Sequence, residues 1–176
     1  MNVKIYFAAD HAGFDLKTVL MQHVKESSPV LGVIYEPVDC GAFELDKADD
    51  YPDFVGRAAK LLQDDVASGV ESRAVVVGAS GQGEAMAANR FPHVRCALYY
   101  GDPSKKQTDM SGHELDMLSS TRQHNSANAL SLGARFLSAD EAKSALMGWL
   151  TAAPTTEDRH LRRVGKLDAL PGAAQG

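Results

Sequence analysis

Val75-Val76-Val77-Gly78-Ala79-Ser80-Gly81-Gln82-Gly83-Glu84 reads as a buried strand, a glycine turn and the start of a helix. Three consecutive β-branched residues suit a strand covered on both faces, as in a parallel sheet. The glycines permit positive φ, and the first N–H groups of a helix lack intrahelical partners, so the turn can hold an anion. Glu84 stands in the first helical turn. Taken alone it is a favourable charge–dipole contact, and the dipole should keep it ionised. With a carbon acid bound in front of the turn, Glu84 becomes a base beside an oxyanion cradle made of Ser80 and the N–H groups of Gly81, Gln82 and Gly83. The segment is neither the dinucleotide fingerprint G-x-G-x-x-G nor a Walker A loop, which needs a Lys-Ser/Thr pair.

Outward from this turn, β-type and helix-type runs alternate, the pattern of a parallel sheet with helices on both faces. Strands are predicted at Val3 to Ala8, Gly32 to Val38, Arg73 to Val77, Val94 to Tyr99 and Ala129 to Leu132. Helices are predicted where Leu16, Val19, Leu20 and Val24, then Phe54, Ala58, Leu62 and Val66, then Ala142, Ala145, Leu146 and Trp149 recur at helical spacing. A further helix is expected to resume around Glu114 to Gln123, and another over Thr155 to Leu167. Gly101 to Met117 has neither periodicity and reads as a long loop, the kind that serves as a lid or binding loop. Ligands of open α/β sheets collect beyond the carboxyl ends of the strands. Asp10-His11, the acidic run from Asp39 to Tyr51, Ser80 to Glu84 and Gly133-Ala134-Arg135 all fall there, four loops for one crevice.

A chain of 176 residues with 44% apolar content is the size of a single well-cored domain, expected over residues 1–170 with a flexible tail at 171–176. The net charge of -5 argues against a general nucleic-acid binder, which needs a basic stripe. Arg159, Arg162, Arg163 and Lys166 nevertheless concentrate positive charge near the C-terminus, either a solvated helix face or the counter-charge of a small anion. Cys40 and Cys96 have no metal-type spacing and read as reduced thiols. No basic–apolar–small succession opens the chain and no apolar run approaches a membrane span, so a cytoplasmic protein without membrane partners is expected.

The remaining candidates also have structural readings. Asp10 could be a helix N-cap, and His11 alone an ordinary surface histidine. His124-Asn125, between a helix and the last strand, could move protons, although a lone histidine is more often structural. Arg135 with Arg159 and Arg163 would make a forked phosphate site, and the last two, four apart, share a helix face. His93, His113 and His160 lack metal-site spacing, so no metal is predicted.

Ala9-Asp10-His11-Ala12-Gly13, Asp50-Tyr51-Pro52-Asp53, Gly78 to Glu84, Ala87-Ala88-Asn89-Arg90, His124 to Asn128, Leu132-Gly133-Ala134-Arg135 and Arg159-His160-Leu161-Arg162-Arg163 together resemble the ribose-5-phosphate isomerase B family, which includes galactose-6-phosphate isomerases. The resemblance runs from Val3 to about Leu167, and its main gap is the loop from Gly101 to Met117. It implies a Rossmann-like three-layer sandwich with a five-stranded parallel sheet, and a cofactor-independent interconversion of aldose and ketose phosphates. Many members carry a catalytic cysteine where this chain has Gly78; another branch has glycine there and a glutamate after the turn, which Glu84 matches. By the same resemblance His124 and Asp10 open the sugar ring, Ser80 and the backbone N–H groups of Gly81 to Gly83 hold the enediolate, and Glu84 shuttles the proton. His11, Arg135, Arg159 and Arg163 hold the phosphate, and Tyr51 and Asn125 contact the sugar. The tail arginines reach a neighbouring subunit, implying a homodimer or a dimer of dimers with shared sites. Ribose 5-phosphate is the expected substrate. The alternatives are four- or six-carbon sugar phosphates of the erythrulose 4-phosphate, allose 6-phosphate or galactose 6-phosphate type, and a non-catalytic phosphosugar-binding module.

Overall fold

The computed structural model describes residues 1–105, 107–109, 112 and 114–170. Five strands, β1 Asn2–Ala9, β2 Ile34–Asp39, β3 Ser72–Gly78, β4 Cys96–Tyr99 and β5 Ala129–Gly133, form one parallel sheet in the order β2-β1-β3-β5-β4. Among the described residues six helices connect and flank them: α1 Phe14–Ser27, α2 Tyr51–Ala67, α3 Gln82–Ala88, α4 Met117–Asn125, α5 Ala139–Thr151 and α6 Asp158–Asp168. The α/β, Rossmann-like architecture expected from the sequence is the one observed.

Strand alternation sorts the core into two layers. Val3, Ile5, Phe7 and Ala9 of β1, with Val75 and Val77 of β3, meet Leu20 and Val24 of α1 and Ala142, Leu146 and Trp149 of α5. The intervening residues Tyr6, Ala8, Ala74 and Val76 face Val55, Ala58, Ala59 and Leu62 of α2. Strands buried on both faces explain the unbroken valine run of β3. From β1 the chain winds to β2 on one side and β3 on the other, so the direction reverses beside β1 and a crevice opens at the carboxyl ends of β1 and β3.

Element boundaries shift where local chemistry overrides periodicity. Val94 is buried, but β4 begins only at Cys96, after a turn in which His93 takes a φ of 62°. α4 begins at Met117, not Glu114, because the Asp116 side chain accepts from the Ser119 N–H and caps it there. α6 begins at Asp158, three residues beyond the expected start at Thr155. The described part of the 101–117 loop folds back on itself, with an antiparallel bridge between Thr108 and Glu114 and a bond from the Leu115 N–H to the Gln107 carbonyl of 2.8 Å. Lys106, Ser111 and His113, and the tail 171–176 read as flexible, lie outside the described residues.

Buried Arg122 ties the end of α4 to its surroundings. It donates to the Ala127 carbonyl at 2.7 Å and the Ala152 carbonyl at 3.2 Å, and its guanidinium lies 5.6 Å from the centre of the Trp149 ring. Trp149 in turn donates to Thr121 Oγ1 at 3.1 Å, so α4, α5 and the approach to β5 are locked together just ahead of His124-Asn125. Among the described residues no helix is long and apolar enough to cross a membrane.

Candidate active site

β1 and β3 are paired with Ala9 opposite Val77, so Asp10 and Gly78 leave the sheet side by side. A Cβ on Gly13 would stand 2.2 Å from the Val77 carbonyl oxygen, so only a glycine lets the Asp10–Gly13 turn cross the end of β3 so closely. Asp10 is 8% exposed, and its Oδ1 accepts from the N–H groups of Ala12 at 3.0 Å and Gly13 at 3.3 Å. The N-cap of α1 is Gly13 itself, so Asp10 orders the turn ahead of the helix instead of capping it.

The glycine turn is held from the other side by the chain leaving β5. The Ala134 N–H donates to the Gly78 carbonyl at 2.8 Å, the Arg135 N–H to the Ala79 carbonyl at 3.0 Å, and Ser131 Oγ to the Gly81 carbonyl at 2.6 Å. Gly81, the N-cap of α3, has a φ of 75°, which favours glycine. Ala79 is not among the positive-φ residues, so alanine is accommodated there. Ser80 Oγ accepts from the Gln82 N–H at 3.3 Å.

Glu84 is only 5% exposed, and its carboxylate turns back over this turn. A Cβ on Gly78 would lie 1.9 Å and 2.5 Å from its two oxygens, so the carboxylate rests on the bare Cα of Gly78. The Tyr51 ring closes the neighbouring side, since a Cβ on Gly83 would meet Tyr51 Cζ at 2.7 Å. Burial pushes the Glu84 carboxyl above its ordinary 4.5, its own backbone N–H works against that, and the charge of Asp10 adds to it. Burial, which the helix-start reading of Glu84 did not include, is thus the largest influence on its carboxyl. Raised basicity suits a general base. The thiols offer no rival, because burial pushes Cys40 up to about 11 and Cys96 up to about 12, leaving both protonated at neutral pH.

His11 lies on the rim of the same crevice. Its Nδ1 is 2.7 Å from Asp49 Oδ1, and its backbone N–H donates to the same oxygen at 3.0 Å. The hydrogen bond to Asp49 raises the imidazole pKa; burial opposes this, Asp10 and the Asp49 charge add to it, and Arg135 opposes it. Arg135 is thus within electrostatic reach of His11. Asp10, His11 and Asp49 bring one donor atom each within 4.8 Å. Hydrogen bonds engage Asp10 Oδ1, Asp49 Oδ1 and His11 Nδ1, which order the rim. Sequence reasoning missed Asp49 because it sits in a run of acidic residues; its one signal was its place just before Asp50-Tyr51-Pro52.

A second group sits apart from the first. His124 and Asn125 end α4 immediately before β5, at the amino ends of the strands, whereas Asp10, Tyr51, Ser80, Glu84 and Arg135 lie at the carboxyl ends. The five residues of β5 separate the two groups, by roughly 15 Å at about 3.3 Å per residue. His124 stacks on His160 of α6, ring centres 4.6 Å apart and planes 9° apart. His160 is buried, and that burial, followed by the proximity of His124, lowers its pKa. Arg159 and Arg163 project from the exposed side of α6, Arg159 donating from Nε to Glu157 at 2.7 Å. Asn125 borders a cleft of about 590 Å³ with Phe91, Arg95 and Leu167. Among the described residues no hydrogen bond or ring contact joins His124, Asn125, Arg159 or Arg163 to the Asp10–Glu84 cluster. The four loops expected to share one crevice do so, and within one chain His124, Asn125, Arg159 and Arg163 form a separate group.

Comparison with known proteins identifies the family. A family model described as Ribose/Galactose Isomerase matches residues 5–167. The chain is 32% identical over 164 residues to ribose-5-phosphate isomerase B of Mycobacterium tuberculosis strain H37Rv, covering 93% of this chain and 86% of that protein. It is 31% identical over 169 residues to the probable ribose-5-phosphate isomerase B of Mycoplasma pneumoniae, covering 96% and 95%. Among solved structures, ribose-5-phosphate isomerase B from Mycoplasma genitalium with bound ribulose-5-phosphate superposes with a TM-score of 0.76 at 28% identity, over 95% of each chain. The type B ribose 5-phosphate isomerase of Trypanosoma brucei gives 0.76 at 30% identity, over 96% of this chain and 99% of that one. The chain therefore belongs to the ribose/galactose isomerase family and is an aldose–ketose isomerase.

Proposed function

We propose that the protein interconverts ribose 5-phosphate and ribulose 5-phosphate through a cis-enediolate, with Glu84 as the base and no cofactor. The observation that carries this reading is the buried Glu84 carboxylate resting on Gly78 at the mouth of an N–H-lined turn. In the open-chain aldose, Glu84 takes the C2 proton. The electron pair moves into the C1–C2 bond and the charge onto O1, where Ser80 and the N–H groups of Gly81 to Gly83 stabilise it. The C2 hydroxyl proton passes to O1 and Glu84 returns its own proton to C1, leaving the ketose with a C1 hydroxyl and a C2 carbonyl. Tyr51 borders the sugar, and His11 with Arg135 receives the phosphate.

Ring opening needs an acid–base group beside Asp10, and the assigned one, His124, lies at the far end of its own sheet. A second copy of the chain would supply it. His124, Asn125, Arg159 and Arg163 would enter the partner's crevice as a unit, His124 and Asn125 at the ring and the arginines at the phosphate. α6 suits such a role. Its one buried residue is His160, while Leu161 and Leu167 are each 47% exposed. The test of substrate is a panel of aldose and ketose phosphates of four to six carbons. Highest kcat/KM on the ribose 5-phosphate pair is expected; a preference for a four- or six-carbon pair would keep the chemistry and replace the substrate, and turnover of none would leave a binding module.

A further inference from the structure

Asp49 has no part in the proton transfer just described, yet it is the most committed contact of the phosphate rim. Its side chain is 7% exposed, and its Oδ1 receives both the backbone N–H and the Nδ1 of His11, at 3.0 Å and 2.7 Å. Its Oδ2 is buried and has no hydrogen-bond partner among the described residues. A carboxylate removed from water with one oxygen unpartnered is costly unless a strong, charge-assisted contact at the other oxygen offsets it. His11 is the partner that can provide one. The loop is shaped to deliver the contact: the Ala48 N–H donates to Asp46 Oδ1 at 2.9 Å and the Asp49 N–H to the Asp46 carbonyl at 3.2 Å.

This arrangement determines what His11 can offer an anion. With Nδ1 donating to Asp49, the neutral ring presents Nε2 as an acceptor, which repels a phosphate oxygen; only the imidazolium presents Nε2–H as a donor. The groups that bear on the ring are Asp49, Asp10 and Arg135. Arg135 opposes protonation, and so would a phosphate-free crevice lined by more arginines, which makes the nearby carboxylate decisive.

We propose that Asp49 is a positioning residue for phosphate capture, fixing the His11 ring through two hydrogen bonds to one oxygen so that its other nitrogen faces the phosphate as a donor. The inference rests on the isomerase reading above for its substrate but is testable without turnover. Asp49→Asn keeps the size and an acceptor for the His11 N–H while removing the charge; Asp49→Glu restores the charge on a longer arm.

The His11 ring is followed by NMR in the full-length protein, assigned with His11→Gln, across pH and against inorganic phosphate. In Asp49→Asn, His11 should titrate at lower pH than in the wild type and phosphate should bind about tenfold more weakly. With ribose 5-phosphate, KM should rise about tenfold while kcat stays within about twofold, and Asp49→Glu should recover part of the loss. An unchanged His11 titration in Asp49→Asn, in protein that melts like the wild type, would overturn the proposal, and so would a fall in kcat with constant KM. A wild-type protein that turned over no ribose 5-phosphate would refute the substrate assignment alone, because the His11 titration and phosphate midpoint would still decide the role of Asp49.

Discussion

Gly78→Ala is the perturbation to which this active site is most sensitive. Gly78 is not among the positive-φ residues, so its backbone accepts alanine. The added methyl carbon would stand 1.9 Å from one Glu84 oxygen, 2.0 Å from Cδ and 2.5 Å from the other oxygen. Ordinary contact lies near 3.4 Å, so the carboxylate must retreat by about 1.5 Å, and a misplacement of about 1 Å at a reacting group costs on the order of 100-fold. A fall in kcat of about 100-fold, or about 2.7 kcal/mol of transition-state stabilisation, is expected. KM should change little, because His11 and Arg135 are untouched. The assay is formation of ribulose 5-phosphate from ribose 5-phosphate under saturation, with Glu84→Gln and the double variant in parallel. Both single changes act through one carboxylate, so the double variant should be no slower than Glu84→Gln alone. Full kcat in Gly78→Ala, or losses that multiply in the double variant, would refute the reasoning.

Arg163→Ala should raise KM for ribose 5-phosphate and leave kcat nearly unchanged; a KM that did not move would remove Arg163 from phosphate binding. Mixing Glu84→Gln and His124→Ala chains, unfolding and refolding them together, should restore about a quarter of wild-type activity, since half of the dimers are mixed and each mixed dimer has one intact composite site. No recovery would place both residues in one chain's site. Burial raises the Glu84 pKa above 4.5, so the ionised carboxylate costs the fold stability as pH climbs from 4.5 through the folded-state pKa. Glu84→Gln should therefore melt higher than the wild type at neutral pH and lose that advantage below 4.5, by thermal unfolding across pH; a lower melting temperature at pH 7 would contradict the burial argument.

The fold was legible because alternation and helical spacing record which faces are covered. Val75 to Val77 needed apolar neighbours on both sides, and the Leu20–Val24 and Leu146–Trp149 stripes provide cover. The site was legible as residue types: Asp10, Tyr51, Ser80, Glu84 and Arg135 converge where a parallel sheet directs them. The placement of His124 ahead of β5 was legible as well; what periodicity could not convey was its ring stack on His160, because that contact depends on how α6 packs. Nor could it convey the depth of burial that raises the Glu84 pKa, which emerges only from packing. Asp49 was hidden for a third reason, that one carboxylate in an acidic loop looks like its neighbours until a backbone N–H and a ring nitrogen are seen to share it.

The most direct measurement of the central claim is hydrogen exchange at carbon. In D2O, wild-type protein and Glu84→Gln are incubated with ribose 5-phosphate, and deuterium at C2 of the aldose and C1 of the ketose is followed by NMR, with binding of the sugar phosphate checked by calorimetry. Deuterium should appear with the wild type and be lost by orders of magnitude with Glu84→Gln, while the substituted protein still binds the sugar phosphate. Incorporation by Glu84→Gln at the wild-type rate would mean that another group moves the proton.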